Sequence, residues 1–353
     1  MIDLQTYGFR ADMTDDTRSG TPARITAVHK ERYEIVCAEG LTHARLKSSV
    51  YFNGGRVEFP TTGDFVLIDY NPCGDSLITA TLPRKTFFSR RDPTPGGGEQ
   101  AVAANFDYVF IMQSLNHDFN AKRLERYLTL AWQSGAVPVV VLTKLDLVED
   151  CSEQIREVER HCAGVFVCAV SAKSGSGLDS LSEFIKAGRT LVFLGSSGIG
   201  KSTLVNALAG EEIMNVNEIR EDDSKGRHTT THRQLIMLPC GAMIIDTPGM
   251  RELGVWDISD GLGQAFEDVE RFIAQCRFSD CTHDREPGCA VHAAIESGEL
   301  PAERWASYTK LADEARATED AYDLRRRKDE WHKGIAKIQK QRERDMRKYG
   351  GKL

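Results

Sequence analysis

At 353 residues the chain is long enough for two or three domains, each with its own core. Its longest apolar run, Ala136 to Leu142, is far too short to span a bilayer, and the N-terminus has early acids and no apolar signal segment, so a cytoplasmic protein without a membrane partner is expected. The net charge of −7 hides an asymmetry: Arg325 to Lys352 holds twelve Lys/Arg against four Asp/Glu, which leaves the rest at about −15 and points to an anionic partner for the tail, the competing reading being a solvated charged helix.

Residues 1–20 are polar and read as a loose leader. Five short strands follow, Ala23 to Val28, Arg32 to Cys37, Thr42 to Leu46, Phe65 to Asp69 and Ser76 to Thr81, separated by Glu39-Gly40, Asn53-Gly54-Gly55 and Asn71-Pro72. Five strands in so few residues predict a small barrel over 21–90, oligonucleotide-binding (OB)-like by size, with an SH3-like barrel as the alternative; the functional reading is nucleic-acid binding, against a plain packing module. Asp92 to Gln100 (DPTPGGGEQ) is a Pro/Gly break, read with residue 91 as a linker. Strands at Tyr108 to Met112, Val137 to Leu142 and Val165 to Val170 then alternate with helices at Ala121 to Gln133, Cys151 to His161 and Leu178 to Ala187. That alternation predicts a parallel sheet covered on both faces, an α/β domain over 101–258. From 259 to 353 the chain reads as helical around a cysteine cluster, with Arg304 to Trp331 rich in helix formers.

Gly195 to Thr203 (GSSGIGKST) fits GxxxxGK[ST] at every fixed position, between a buried strand, Thr190 to Leu194, and a helix ending at Gly210. Gly195, Gly198 and Gly200 let the backbone of Ser196, Ser197, Ile199 and their neighbours turn its amides toward phosphate oxygens, aided by the dipole of the helix that carries Thr203. Lys201 would reach the β- and γ-phosphates and Ser202 would ligate Mg²⁺. Thr143-Lys144-Leu145-Asp146 follows one buried strand as [NT]KxD should, and Ser171-Ala172-Lys173 follows the next. A carboxylate at Asp146 accepts from the guanine ring N–H and exocyclic amine, which adenine does not offer, so GTP is the expected nucleotide. Asp246-Thr247-Pro248-Gly249 closes a further strand and matches DxxG, with Asp246 on Mg²⁺ through water and the Gly249 amide on the γ-phosphate. Gly226 to Thr231 (GRHTTT) lies between, with Thr230 the first choice for the switch threonine. Met250 stands where many GTPases carry a water-orienting glutamine, so slow intrinsic turnover and a stimulating partner are expected. His228 is a candidate water-positioning group, or a surface histidine with no role.

Ordinary GTPases run phosphate loop, switch threonine, DxxG, NKxD, SAK. This chain runs TKxD, SAK, phosphate loop, switch, DxxG, so the domain is circularly permuted. Cys276, Cys281, His283 and Cys289, spaced Cys-x4-Cys-x-His-x5-Cys, form a closed Zn²⁺ set with no open position for catalysis; the other six cysteines read as core residues.

The permuted order, the GRHTTT box, the β-rich N-terminal module and the cysteine cluster resemble the ribosome-small-subunit-dependent GTPase A family, over roughly residues 20–300 by motif placement. The resemblance implies an OB domain, a permuted GTPase domain, a zinc domain, and work in late maturation of the small ribosomal subunit. The expected partners are that subunit and its rRNA, with no DNA partner and a monomeric chain. The alternative is an RNA-binding assembly scaffold whose nucleotide only sets its shape, while an ATP-using phosphate-loop kinase is disfavoured by TKxD and SAK together.

Overall fold

The computed structural model describes residues 1–14, 19–29, 32–47, 59–91, 99–116, 119–162, 164–196, 198–214, 233–246, 259–284 and 286–316. Ser197, the GRHTTT box with His228 and Thr230, Gly249, Met250 and the basic tail lie outside these residues.

Five strands close into a barrel: β1 (Thr21–Val28), β2 (Tyr33–Cys37), β3 (Gly40–Leu46), β4 (Phe65–Asp69) and β5 (Ser76–Thr81). Each follows its neighbour in the order β1-β2-β3-β5-β4 and back to β1, antiparallel except for β3 and β5, which is the OB-like order. Period-two alternation puts Ala23, Ile25, Ile35, Val66, Ile68 and Ile78 inside. A register shift between Ile25 and Ala27 bends β1. Its first half thus pairs with β4, and its end leaves the barrel to pair with another strand.

That strand is β12 (Arg233–Met237), with Ala27 opposite Gln234 and Val28 opposite Arg233. It edges a sheet with β8 (Tyr108–Ser114), β9 (Val137–Thr143), β10 (Phe166–Ala169), β11 (Thr190–Leu194) and β13 (Met243–Asp246), in the order β10-β9-β8-β11-β13-β12. All neighbours are parallel except β12 against β13. Helices α1 (Ala121–Gln133) and α2 (Ser152–His161) cover one face through Leu124, Leu128 and Val158, and α3 (Lys201–Ala209) with Leu181 and Phe184 covers the other. Burial on both faces explains the unbroken apolar runs.

Four readings change, the first being that Cys73 and Cys240, expected in the core, are exposed. The segment Leu178 to Ala187 is not an α-helix but a 3-10 turn over Leu178–Leu181 followed by further turns. Its apolar residues recur every three positions, a spacing that 3-10 winding also places on one face. The expected linker 91–100 has its ends in a hairpin, β6 (Phe87–Arg91) against β7 (Glu99–Ala104), whose Phe88 stacks on Phe106 at 4.8 Å. The leader is pinned: Leu4 is buried in a 3-10 turn capped by Asp3, and the Ile2 amide donates to Ala38 O at 2.9 Å.

Beyond the sheet come α4 (Ser259–Ala265), α5 (Glu267–Ile273), α6 (Ala290–Ser297) and a helix over 302–316, here α7. A Cβ on Gly261 would stand 2.3 Å from Thr129 O, so glycine lets α4 meet the α1 backbone, where its amide donates to Gln133 Oε1 at 2.7 Å. Arg304 of α7, 5% exposed, donates to Glu125 of α1 at 2.9 Å, to both carboxylate oxygens of Asp268 and to Ala265 O at 2.7 Å. Its guanidinium lies 4.0 Å from the Phe266 ring centroid. A buried cation is tolerable when its donors are so fully met.

Arg24 makes the corresponding joint at the barrel. Fully buried on β1, it donates to Tyr7 O (2.5 Å), Gly63 O (3.2 Å), Asn105 O (2.9 Å) and Thr190 Oγ1 (3.0 Å), tying the leader, the barrel and the first residue of β11. Burial pushes its guanidinium down to about 10, which still leaves it charged at neutral pH. Arg24→Met should cost about 2–3 kcal/mol in urea denaturation, because it strands several buried acceptors while keeping the side chain's bulk; an unchanged midpoint would show that the joint adds nothing.

Candidate nucleotide site and metal centre

In a parallel sheet all carboxyl ends face the same way, so the loops after β9, β10, β11 and β13 meet at one edge. Lys201 opens α3 after β11, Asp246 ends β13 beside it, and the Lys201 ammonium donates to Asp246 Oδ1. Gly198 and Gly200 adopt φ of 71° and 102°, left-handed conformations that turn the chain into the helix with its first amides facing the loop. Gly195 must lie close to β8, since a Cβ there would sit 3.1 Å from Met112 O. Ser202 and Thr203 occupy the first turn with Lys201, and Ser196 and Ile199 complete the described part of the loop.

The TKxD and SAK segments form one unit. Lys144 at φ 62° reverses the chain after β9, the Leu145 amide donates to Val170 O at 3.1 Å, and the Ser171 hydroxyl donates to Asp146 Oδ1 at 2.6 Å. That hydroxyl, helped by Lys173 and Lys144, holds the Asp146 carboxyl below its usual range. The ionised acceptor is therefore present throughout the neutral range. Ala172 and Lys173 continue the turn, whose Ser174 amide donates to Ser171 Oγ at 3.2 Å.

Thr143 connects this unit to the phosphate-loop pattern. The residue is buried, and its hydroxyl donates to Ile199 O at 2.7 Å, with Gln113 O 3.3 Å away. The spelling of TKxD with Thr thus supplies a bridge between the TKxD turn and the GxxxxGK[ST] loop. No local pattern signals it, because Ile199 is 56 residues downstream.

The four predicted metal ligands come together. Nδ1 of His283 lies 3.5 Å from Cys276 Sγ and 3.6 Å from Cys289 Sγ, those two sulfurs are 4.0 Å apart, and all four donor atoms fall within 4.8 Å of one another. Ligands about 2.3 Å from a tetrahedral zinc ion stand roughly 3.7 Å apart, so the set fits Zn²⁺ after a small contraction. Three thiols beside one imidazole are also the soft donor chemistry that favours zinc over magnesium or calcium. His283 sits at φ 57°, its ring meets Trp305 of α7 edge-on at 5.4 Å, and Trp305 stacks on Tyr308.

The Thr143 bridge has a direct consequence. Thr143→Ala removes the side-chain donor that Thr143 supplies to Ile199 O and should weaken GDP binding by about tenfold, on the order of one buried hydrogen bond, whereas Thr143→Ser should stay near wild type. Calorimetric titration with GDP would check this, and equal affinities for Ala and Ser would remove the bridge from the account.

Comparison with known proteins agrees with this geometry. The family model described as RsgA GTPase matches residues 81–256. The protein named "Small ribosomal subunit biogenesis GTPase RsgA 1" from Listeria monocytogenes is 45% identical over 313 residues, covering 88% of this chain and 89% of that protein. The RsgA protein of Methanosarcina acetivorans is 40% identical over 93% of this chain and 88% of its own length. Among solved structures, YjeQ from Thermotoga maritima aligns with a TM-score of 0.63 at 26% identity, over 82% of this chain and 96% of that one. YloQ, described as a circularly permuted GTPase, aligns at 0.60 and 23% identity over 87% and 98%, and supports the fold. With a permuted nucleotide sheet, a closed barrel and relatives at this level of identity over most of its length, the chain belongs to the RsgA family of GTP hydrolases.

Proposed function

We propose that this chain binds GTP and Mg²⁺ at the carboxyl edge of the permuted sheet and uses hydrolysis to time its release from the small ribosomal subunit late in that particle's maturation. The observation that carries the nucleotide reading is the convergence of Asp146, the glycine-turned loop and the Lys201–Asp246 pair on one edge. Asp146 accepts from the guanine edge, with Thr143, Lys144, Leu145, Ser171, Ala172 and Lys173 shaping the base pocket. The amides from Gly195 to Thr203 cradle the phosphates. Lys201 exchanges its carboxylate partner for the β- and γ-phosphates, which frees Asp246 to face the metal beside Ser202. Ser202 and, through water, Asp246 would hold magnesium, which would supply charge neutralisation for the phosphates. Water then attacks the γ-phosphorus as the bond to the β,γ-bridging oxygen breaks, leaving GDP and phosphate. Thr230 would be the switch threonine that meets Mg²⁺, the Gly249 amide would contact the γ-phosphate, and His228 would orient the water that Met250 cannot.

The names of the relatives place those proteins in biogenesis of the small ribosomal subunit. We extend that partner to this chain, as a cytoplasmic monomer that contacts rRNA and no DNA. The barrel (21–90) and the metal module with its basic tail (259–353) grip the RNA on either side of the nucleotide domain (101–258). Arg325, Arg326 and Arg327 supply phosphate contacts, which makes binding fall with salt. Both grips attach next to a nucleotide-sensing segment: β12 follows the GRHTTT box and pairs with barrel strand β1, and α4 follows DTPG and packs on α1. Nucleotide state thereby reaches both flanking modules.

GTP turnover should rise at least tenfold on adding isolated small subunits, with ATP inert. Subunit binding without stimulation would favour the scaffold reading, which Met250 motivates. Asp146→Asn should lose GTP and gain xanthosine triphosphate, since xanthine offers an oxygen where guanine has its amine and an Asn amide can donate to it; unchanged GTP affinity would remove Asp146 from the base pocket.

A further inference from the structure

Between the metal ligands His283 and Cys289 lies Glu286, a carboxylate outside the ligand set. Its Oε1 accepts from the Thr282 amide at 3.0 Å and from the Thr282 hydroxyl, and its Oε2 accepts from the Asp284 amide at 3.0 Å. The two oxygens therefore fasten the backbone on both sides of His283. That residue needs fastening: it is one of three non-glycine residues at positive φ among those described, and a conformation of this kind costs about 1 kcal/mol or more unless its surroundings impose it. The peptide after Glu286 adds a further tie, because the Cys289 amide donates to Glu286 O at 3.2 Å, bringing the fourth ligand back against the first three.

We propose that Glu286 is a positioning residue for the metal centre, holding the Cys281-Thr282-His283-Asp284 turn in its ligating shape so that Nδ1 of His283 faces the thiols before the ion arrives. The inference rests on the reading of Cys276, Cys281, His283 and Cys289 as a zinc set. Glu286 does not contact the ion; it acts through the two amides that flank His283. Outer groups of this kind typically change metal affinity 10- to 100-fold.

The test uses the full-length chain loaded with one equivalent of Zn²⁺ and titrated against a chromophoric chelator. Glu286→Gln, which keeps one acceptor oxygen and turns the other into a donor facing an amide, should weaken zinc binding by about tenfold, and Glu286→Ala by at least as much. Asp284→Asn removes a neighbouring charge but keeps the amide that Glu286 holds, and should stay within about twofold of wild type. GDP affinity measured on the same samples should be unchanged in all three, which reports that the nucleotide domain is folded. Wild-type zinc affinity in Glu286→Gln and Glu286→Ala would overturn the proposal. So would an equal loss in Asp284→Asn, which would make the effect one of charge rather than of shape. If the wild-type chain took up no zinc, the ligand reading itself would fall, a result distinct from either of these.

Discussion

A parallel sheet forces its loops to one edge, and the rest of this molecule depends on that constraint. Four segments scattered between Thr143 and Asp246 become neighbours because β9, β10, β11 and β13 run the same way. Cutting and rejoining the chain elsewhere leaves this edge intact, so the motifs can appear in permuted order and still meet. Thr143 donating to Ile199 O is the clearest trace of the meeting, a single buried hydrogen bond between loops that the sequence separates by 56 residues.

Permutation also decides what is attached to the edge. The strand that follows the GRHTTT box is β12, at the border of the sheet, and an exposed border strand needs a partner. It finds one in β1, which a bulge has bent out of the barrel for that purpose. Arg24 then fixes the angle of the joint from inside. On the other side, the chain leaving β13 reaches α4, held on α1 by the Gly261 contact and by Arg304 on Glu125. The Cys/His cluster rests on helix α7, which carries Arg304, through Trp305 against His283. Each flanking part is thus joined to the nucleotide sheet by a buried arginine and by the element that follows the GRHTTT box or DTPG in the chain.

Much of this was legible before any coordinates. Five barrel strands, the alternation of strand and helix, the phosphate-loop pattern with its neighbours and the cluster of Cys276, Cys281, His283 and Cys289 were all readable because each depends on residues close in sequence. The open choice between two barrel types was settled by which strands touch, above all the parallel contact of β3 with β5, and pairing is not encoded locally. The β6–β7 hairpin was missed because the Pro/Gly run that reads as a linker is also what joins two strands. Leu178 to Ala187 misled because a three-residue apolar repeat suits a 3-10 turn as well as an α-helix. Arg24, Arg304, Glu286 and the Thr143 bridge were invisible for one reason: their meaning lies in partners that only the fold brings near.

If nucleotide state reaches both flanking modules through these joints, the joints themselves respond when the nucleotide changes. Hydrogen exchange of the full chain, compared between GDP and a non-hydrolysable GTP analogue, tests it most directly. Protection should change at β1 and β12 on one side and at α4 and α7 on the other, together with the nucleotide loops. Changes confined to the loops, with both joints unaffected, would contradict it.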